Sequence, residues 1–296
     1  MKKVIRGIEF CVVKLLTAYA NSLPECNALR FGAGLGAFAR RLLRNRAKVV
    51  RENLLLCGVA FDSAPRARLF ELRCFQHIGV TIVEVIRQRY YRRSDVRSKV
   101  TMEKRERLEK AAGMKRGAIL MSGHIGNWEL LGAYVRNLGY PIHLLVKRQS
   151  NREVDTLLNT LRMAQRVGII YTDTGSRALV KAVRSGAFVA ILADQYGGME
   201  SETVRFFGNE VLVPTGPAAL ILKYKLPLLF GALRRAKNGR HFIGIELLTE
   251  WEGYDRKAVV QRYTDLLEEA VRRSPEMWLW THRKFKNLID YRGTAG

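Results

Sequence analysis

A histidine and a glutamate stand five residues apart in a short polar turn, and together they could perform acid–base chemistry. The turn runs Ser122-Gly123-His124-Ile125-Gly126-Asn127-Trp128-Glu129. Because an imidazole titrates near neutrality, His124 can remove a proton from a hydroxyl as a general base. It then needs a carboxylate to fix its tautomer and to stabilise the imidazolium. Glu129 can fill this role if the turn folds it back onto the ring; otherwise the pair is a surface histidine beside a helix-start glutamate.

The residues around this turn predict a strand before it and a helix after it. Residues 118–121 read Ala-Ile-Leu-Met, and residues 128–138 carry apolar side chains at helical spacing. Folds of the α/β class place their ligands at the C-terminal ends of parallel strands. Asp194 also follows a buried apolar run, so it could lie at the same sheet edge, although a turn or capping residue would look the same. The chemistry is therefore expected at one edge of a sheet.

Strand-like and helical patterns alternate through the rest of the chain. Short apolar runs occupy residues 143–146, 168–171, 188–192, 228–230 and 242–247. Helical patterns occupy 154–167, 177–184, 217–224 and 256–273, and the first hundred residues are mostly helical, with patterns at 44–57 and 65–89. This alternation predicts an α/β fold in which helices flank a central, mostly parallel sheet, preceded by a helical N-terminal segment.

The chain is strongly basic. It holds 51 Lys and Arg residues against 27 Asp and Glu residues, which gives a net charge of +24. Such a charge indicates an anionic partner: nucleic acid, an acidic membrane face or a phosphorylated substrate. A nucleic-acid-binding protein is the competing class, but the arginines are spread along the chain. The sequence contains no zinc-finger spacing, aromatic RNA-binding pattern or basic zipper.

Two moderately apolar segments near the N-terminus favour contact with a membrane. They cover residues 8–23 and 28–43, and neither is a clean apolar span of 18 residues. The second contains the glycine-rich run 31–39 and is followed by a series of basic residues between 40 and 51. An apolar stretch with adjoining positive charge suits a helix lying at an interface with anionic headgroups. The alternative is an ordinary core helix with a solvated basic face.

The cysteine pattern predicts neither a disulfide framework nor a zinc site. Cys11, Cys26, Cys57 and Cys74 all lie in the first quarter of the chain, without CxxC spacing or clustered histidines. We expect free thiols that are buried or face a membrane. No metal or redox cofactor is implied by the sequence.

The turn also carries a resemblance. Gly123-His124-Ile125-Gly126-Asn127-Trp128-Glu129-Leu130 resembles the HX4(D/E) motif of glycerolipid acyltransferases, and specifically the lipid A biosynthesis (lauroyl/myristoyl) acyltransferases. Phosphatidylinositol mannoside acyltransferases are related. Other blocks of the chain are similar to this family and occur in its order: residues 46–54, 147–151 leading to Arg162, 193–195, 204–208, 214–218 and 275–286.

This resemblance implies a mechanism and a set of site residues. His124 would activate an acceptor hydroxyl for attack on an acyl thioester, and Glu129 would hold and stabilise the histidine. Donors to the carbonyl oxygen would be Arg148, Arg162 or the backbone near Gly126 and Asn127. Asp194 and Gln195, which match the family's strand-end Asp-Gln, would also contact substrate. No Ser or Cys lies in a G-x-S-x-G pattern, so no acyl-enzyme is expected.

The resemblance also implies a location and partners. Residues 1–60 would form a basic, membrane-associating helical segment, and residues 61–296 an α/β acyltransferase domain on the cytoplasmic face of the bacterial inner membrane. The donor would be a thioester of acidic acyl carrier protein, with acyl-CoA as the other option. The acceptor would be an anionic lipid A precursor or related glycolipid; lysophospholipid, aminolipid and phosphatidylinositol mannoside acceptors stay open. Since the first apolar segment carries several charges, both spanning and peripheral attachment also stay open.

Overall fold

The computed structural model describes residues 2–174, 176–195, 200–236 and 238–291, without the side chains of residues 2–6, 8 and 9. Within these residues nine strands occur in chain order: β1 (Val100–Met102), β2 (Ala118–Ser122), β3 (Ile142–Val146), β4 (Gly168–Tyr171), β5 (Phe188–Leu192), β6 (Ser201–Phe206), β7 (Asn209–Pro214), β8 (Leu228–Arg235) and β9 (His241–Leu248). The helices are α1 (Lys2–Ser22), α2 (Glu25–Leu42), α3 (Arg44–Leu56), α4 (Ala64–Gln88), α5 (Arg93–Lys99), α6 (Arg105–Gly113), α7 (Trp128–Asn137), α8 (Arg152–Ala164), α9 (Ser176–Arg184), α10 (Gly216–Tyr224) and α11 (Arg256–Arg273).

The central sheet confirms the predicted α/β class. Its strand order is β1-β9-β8-β2-β5-β3-β4, and β2, β3, β4, β5 and β8 run parallel. The strand β9 returns antiparallel to β8, and β1 pairs parallel with β9. A separate antiparallel hairpin of β6 and β7 crosses the region that sequence patterns had left without strands. The sheet is therefore mostly parallel, with its antiparallel part at one side.

Two apolar cores cover the faces of the sheet. Alternate residues of the fully buried strand β2 point into different cores, Ile119 and Met121 into one and Leu120 into the other. The first core includes side chains from α11, and the second includes side chains from α6 and α7. A central strand buried on both faces is typical of parallel sheets covered by helices. It fixes the C-terminal end of β2, where the histidine turn (residues 122–129) begins.

The glycine-rich run of α2 packs directly against α4. A β-carbon on Gly36 would lie 2.0 Å from the Phe75 carbonyl oxygen, and one on Gly79 would lie 2.1 Å from the Gly32 carbonyl oxygen. Only glycine allows the two backbones to approach so closely. Part of the adjoining basic series is also used internally, because Arg40 and Arg51 both donate to the buried carboxylate of Glu71 on α4. These features explain Gly32, Gly36 and two of the arginines by helix packing.

The structure leaves the membrane-associating role of residues 1–60 a prediction. Among the described residues, none of the helices combines the length and apolar character that crossing a bilayer requires. Several apolar side chains of α1, α2 and the residue after α2 are exposed: Val12, Leu15, Tyr19, Phe38, Leu42 and Leu43. The boundary proposed at residue 60 also stays a prediction, and α2 packs across it onto α4. All four cysteines are free; Cys57 and Cys74 are buried, and Cys11 and Cys26 are exposed.

We expect Gly36→Ala to destabilise the protein although alanine is the better helix former. The added methyl group would meet the backbone of α4, and overpacking of this kind costs about 1–3 kcal/mol. Gly34→Ala is the matched control on the same helix, because a β-carbon there meets nothing within 4 Å. It should raise the free energy of unfolding by about 0.5–1 kcal/mol. Denaturant unfolding measures both; equal stabilisation by the two substitutions would contradict the close packing.

Candidate active site

The histidine turn passes close to its neighbours at two glycines, and at one of them, Gly126, only glycine fits. Gly126 has a φ of +58°, and a β-carbon on it would lie 1.9 Å from the Leu233 carbonyl oxygen. A β-carbon on Gly123 would lie 2.5 Å from Leu267 and 3.2 Å from an oxygen of Asp194. The turn thus passes between β8 on one side and α11 on the other. The turn thereby places the His124 ring beside the end of β5.

The ring of His124 is bonded to Asp194, which lies just after β5. The distance from His124 Nδ1 to Asp194 Oδ1 is 2.7 Å, and the backbone N–H of His124 donates to Asp194 Oδ2 at 2.8 Å. Strand β5 is the hydrogen-bonded neighbour of β2, so the two strand ends bring these residues together across 70 positions of sequence. The Asp194 side chain is 3% exposed and that of His124 is 17% exposed. The His124 ring is therefore accessible to solvent, whereas the Asp194 carboxylate is buried.

The two groups shift each other's titration in opposite directions. Burial alone would raise the pKa of Asp194, but His124 and the donors around the carboxylate outweigh it and hold that pKa far below its usual value. Burial alone would lower the pKa of His124, but the bonded Asp194 carboxylate and the charge of Glu129 raise it. An ionised Asp194 can only accept, so the neutral His124 ring carries its proton on Nδ1. Its Nε2 is then left as the basic atom.

Glu129 is placed differently from the prediction that its carboxylate folds back onto the histidine ring. Its hydrogen bonds go to Arg162 of α8: Nη2 donates to Oε1 at 2.6 Å and Nε donates to Oε2 at 3.0 Å. Both side chains are nearly buried, at 11% and 14% exposure. The carboxylate therefore acts on His124 through space, while the direct orienting contact belongs to Asp194. Arg162 and Glu129, both singled out from sequence, meet as one buried ion pair.

The remaining predicted site residues lie in three different settings. Asn127 is buried; its Oδ1 caps α7 by accepting from Leu130 N, and its Nδ2 donates to Glu84. The Arg148 side chain is exposed, stacks on the Tyr171 ring and donates to Asp173. Gln195 is half-buried directly after Asp194. Of these, only Gln195 adjoins the bonded pair in sequence, while Asn127 supports the turn from inside.

The C-terminal segment (residues 274–291) holds the histidine turn from the other side. The backbone N–H of Gly126 donates to the Met277 carbonyl, and the N–H of Leu279 donates to the His124 carbonyl. The indole of Trp278 donates to Asp194 Oδ2 at 2.9 Å. Two sequence blocks that resemble the same family, about 150 residues apart, thus form one site. Since the N–H of Gly126 is engaged in this contact, it is no longer a free candidate donor for a carbonyl oxygen.

Two further ionisable groups of this segment lie near the bonded pair. Lys284 is fully buried over the Phe206 ring, and burial lowers its pKa to about 8, with the charge of Asp194 acting in the opposite direction. Burial also lowers the pKa of His282 to about 4, so that this ring is neutral at physiological pH. Among the described residues no group of three or more potential metal ligands comes together. Chemistry without a metal or redox cofactor stays a prediction.

Comparison with known proteins agrees with this arrangement of motifs. Residues 1–287 match the sequence profile of the family described as bacterial lipid A biosynthesis acyltransferase. This chain belongs to that family. It is therefore an acyltransferase, and the histidine turn, Asp194 and residues 274–287 of the C-terminal segment lie within the matched residues.

Individual relatives cover most of this acyltransferase at modest identity. It is 26% identical to the lipid A biosynthesis palmitoleoyltransferase of Escherichia coli (strain K12) over 258 residues, which is 86% of this chain and 83% of the relative. It is 24% identical to the lipid A biosynthesis lauroyltransferase of the same strain over 268 residues, or 89% and 87%. A lipid A biosynthesis acyltransferase of Haemophilus influenzae (strain ATCC 51907 / DSM 11121 / KW20 / Rd) is 22% identical over 275 residues, or 90% and 87%.

Sequence analysis missed three groups that support the site. Trp278 lies in the block 275–286 that resembles the family, but its sequence context did not indicate that its indole donates to Asp194. Glu84 on α4 and Arg235 at the end of β8 form a buried ion pair directly behind the histidine turn. A signal existed for Glu84, because it is an acidic residue within the otherwise apolar stretch 79–86 of a helical pattern. Nothing in the sequence indicated its partner.

Asp194→Asn should lower the pKa of His124. An amide keeps the shape but removes the charge that raises this pKa, whereas burial of the ring, which lowers it, remains. We expect the midpoint to fall, because the opposite charge within hydrogen-bond distance of the ring is lost. Histidine NMR titration measures it, and His143 in β3 is the internal control whose midpoint should not move. An unchanged midpoint for His124 would show that Asp194 does not set its charge.

Proposed function

We propose that this acyltransferase moves a fatty acyl chain from an acyl-carrier-protein thioester to a hydroxyl of a lipid A precursor. The observation that carries the proposal is the hydrogen bond between His124 Nδ1 and the sealed carboxylate of Asp194, within a chain of the lipid A acyltransferase family. That bond leaves Nε2 basic on a ring that remains partly exposed. A general base and a buried stabilising charge are what attack by an alcohol on a thioester requires.

His124 acts twice in the proposed reaction. Its Nε2 takes the proton of the acceptor hydroxyl as that oxygen forms a bond to the thioester carbonyl carbon. The carbon–sulfur bond then breaks, and the leaving thiolate receives the same proton from the imidazolium. The products are an ester and a thiol, and no group on the protein is acylated. General-base assistance of this kind contributes on the order of 10²–10⁴ in rate.

The surrounding charges stabilise the imidazolium that forms between these steps. Asp194 contacts Nδ1 directly, and Glu129 adds a second negative charge through space. The Arg162 guanidinium fixes the Glu129 carboxylate through two donated hydrogen bonds. Breaking a buried pair of this kind by removing one partner costs about 3–5 kcal/mol. Arg162 therefore serves the base through Glu129, and we assign it this positioning role in place of direct contact with the carbonyl oxygen.

The charge of the protein supports acidic partners and an anionic surface. Acyl carrier protein is acidic, lipid A precursors carry phosphates, and the cytoplasmic face of the inner membrane is negatively charged. A net charge of +24 raises the rate of encounter with all three. The exposed apolar side chains of α1 and α2 add a contribution that salt does not screen. We propose that these helices hold the protein on that face of the membrane.

His124→Ala should lower the rate of acyl transfer by about 10²–10⁴-fold while the protein stays folded and membrane-bound. The substitution removes the base and leaves Asp194 with its Trp278 contact. Wild-type and variant proteins are incubated with a lipid A precursor and either acyl-carrier-protein or coenzyme A thioesters. Mass spectrometry of the lipids then reports a gain of one acyl chain.

The control for this experiment is His143→Ala, which removes a histidine from β3 without touching the site. Transfer by wild type and by this control, but not by His124→Ala, supports the base and the acceptor together. Full transfer by His124→Ala would exclude His124 as the base. If the precursor gains no chain while other lipids in the same membranes do, the protein is an acyltransferase with a different acceptor.

Leu15→Glu and Leu42→Glu should weaken binding to vesicles that contain anionic lipid. Their side chains are 71% and 66% exposed, and losing one buried leucine contact costs about 1.5–3 kcal/mol, which is about tenfold or more in partitioning. Co-sedimentation at low and at moderate salt measures the effect. Tyr254→Glu, beyond β9 at the opposite edge of the sheet from His124, is the control. Equal binding by all variants would remove α1 and α2 from the membrane contact.

A further inference from the structure

A buried polar network lies directly behind the histidine turn. Arg235 Nε donates to Glu84 Oε1 at 2.6 Å and Arg235 Nη2 donates to Glu84 Oε2 at 2.7 Å, a two-pronged contact between β8 and α4. The Nε2 atom of His241 in β9 lies 3.3 Å from Glu84 Oε1. Both partners of the ion pair are under 10% exposed. Burial alone would raise the pKa of Glu84, but Arg235 and His241 outweigh it and lower that pKa to about 2.

The Arg235 guanidinium also donates hydrogen bonds to two other side chains of α4. It donates to the Thr81 hydroxyl at 3.0 Å and to Nδ1 of His77 at 2.9 Å. His77 accepts because it is neutral, since burial and the Arg235 charge lower its pKa to about 4. Three residues one turn apart on α4 therefore hold a single cation. A network in which the donors are matched in this way fixes one geometry between the helix and the strand.

This network is bonded to the histidine turn at two consecutive residues. Glu84 Oε2 accepts from Asn127 Nδ2 at 3.1 Å, and the Thr81 hydroxyl donates to the Gly126 carbonyl at 3.2 Å. Gly126 and Asn127 lie between His124 and Glu129, the two residues whose charges and positions the reaction uses. The turn is thus clamped between α4 on one side and the C-terminal segment on the other. A displacement of α4 would therefore move both His124 and Glu129.

Stability alone does not account for a buried ion pair at this place. Apolar residues of similar volume often serve as well or better, because two charges must be taken out of water. The orientation of the contacts is what an apolar pair could not supply: a carboxylate and a hydroxyl that bond the turn itself. Positioning of reacting groups is sensitive to such support, since a displacement of about 1 Å can cost 10²-fold in rate.

We propose that Glu84 is a positioning residue for acyl transfer, acting through Arg235, Asn127 and Thr81 to hold the turn that carries His124 and Glu129. The part of α4 that carries His77, Thr81 and Glu84 then supports the catalytic turn, beyond any role of the N-terminal helices in attachment. This inference rests on the proposed function for the reaction it concerns. Glu84 touches no reacting atom and works only through the turn.

The chain offers a matched control on the same helix. Glu71 of α4 is 1% exposed and accepts from two arginines, Arg40 and Arg51, each at 2.7 Å. Its network joins α2, α3 and α4 and includes no residue of the histidine turn. Glu71→Gln and Glu84→Gln therefore remove the same charge from similar burial, three and a half helical turns apart. A purely structural role predicts the same consequences for both.

The first measurement is steady-state transfer by the full-length protein with an acyl-carrier-protein thioester and a lipid A precursor. Glu84→Gln should lower kcat by about 10–100-fold with KM for both substrates within about threefold, because positioning acts after binding. Glu71→Gln should change kcat by less than about threefold. Arg235→Lys keeps the cation and loses the two-pronged contact, so it should lower kcat as Glu84→Gln does. Denaturant unfolding of each variant shows how far stability contributes.

The second measurement needs no substrate and follows the titration of His124 by histidine NMR. The titratable and charged groups around the bonded pair are Asp194 at the end of β5, Glu129 of α7 with its partner Arg162 of α8, and His282 and Lys284 of the C-terminal segment; all are unchanged in the variants. A looser turn weakens the Asp194 contact, so the His124 midpoint should fall in Glu84→Gln and in Arg235→Lys. In Arg235→Lys the local charge is kept, and the change reports geometry. The midpoint should not move in Glu71→Gln.

The outcomes separate the inference from the proposed function. If the wild type transfers no acyl chain but the His124 midpoint falls in Arg235→Lys, the proposed reaction is rejected. The positioning of His124 by the Glu84 network is then retained. Normal kcat and midpoint in Glu84→Gln, or equal losses in Glu84→Gln and Glu71→Gln, would overturn the inference while the reaction stands. If Glu84→Gln does not fold, Arg235→Lys decides, and a wild-type kcat and midpoint for that variant would overturn the inference.

Discussion

The ionised carboxylate of Asp194 is the group around which the site is assembled. A carboxylate taken out of water is costly unless its oxygens accept hydrogen bonds, and Asp194 is only 3% exposed. Its oxygens accept from the backbone and ring of His124 and from the indole of Trp278. These donors come from the end of β2 and from the C-terminal segment, far apart in sequence. Satisfying one buried charge therefore forces the separate motifs into contact, and the same charge raises the pKa of the histidine that they surround.

The N-terminal helices follow the same principle with two buried glutamates of α4. Glu71 accepts hydrogen bonds from one arginine of α2 and one of α3. Glu84 accepts hydrogen bonds from Arg235 of β8 and from Asn127 of the histidine turn. Because each carboxylate must be matched by donors, the position of α4 is specified relative to both the helical layer and the sheet. The backbone contact at Gly36 and Gly79 brings α2 close enough for this to occur. The helices that we propose for membrane contact therefore pack against the same helix, α4, that bonds the histidine turn through Thr81 and Glu84.

The large positive charge has two separate uses. Four of the arginines discussed above pair with buried or nearly buried glutamates: Arg40 and Arg51 with Glu71, Arg162 with Glu129, and Arg235 with Glu84. They contribute to the fold and to the site, and they are not displayed to a partner as free charge. The remaining basic surface still far exceeds the acidic surface, so long-range attraction to anionic partners is retained. These four arginines face three glutamates, so together they account for only one unit of the net charge of +24, and part of the basic composition is structural.

The sequence by itself determined the local elements and the identity of the chemical groups. Six of the nine described strands and most helices followed from apolar runs and periodicity, because such patterns depend only on which neighbours in the chain share a face. The turn with His124 was recognisable for the same reason, since its glycines, its histidine and the flanking strand and helix are contiguous. The placement of Asp194 at a strand end was also readable. The hairpin of β6 and β7 and the short strand β1 were not found, because their patterns were too short or too mixed in polarity to indicate strands.

Only the tertiary structure decided which group partners which. The carboxylate bonded to His124 comes from a residue 70 positions away, while the nearer Glu129 pairs with Arg162. Arg148, placed by sequence in the site, is exposed and stacks on the ring of Tyr171 instead. The buried pair of Glu84 and Arg235 spans 151 positions. These choices depend on strand order, on β5 lying beside β2, and on which helix packs behind the turn. No local pattern encodes such neighbours, because hydrogen bonds between buried groups are set by the packing that brings distant segments together.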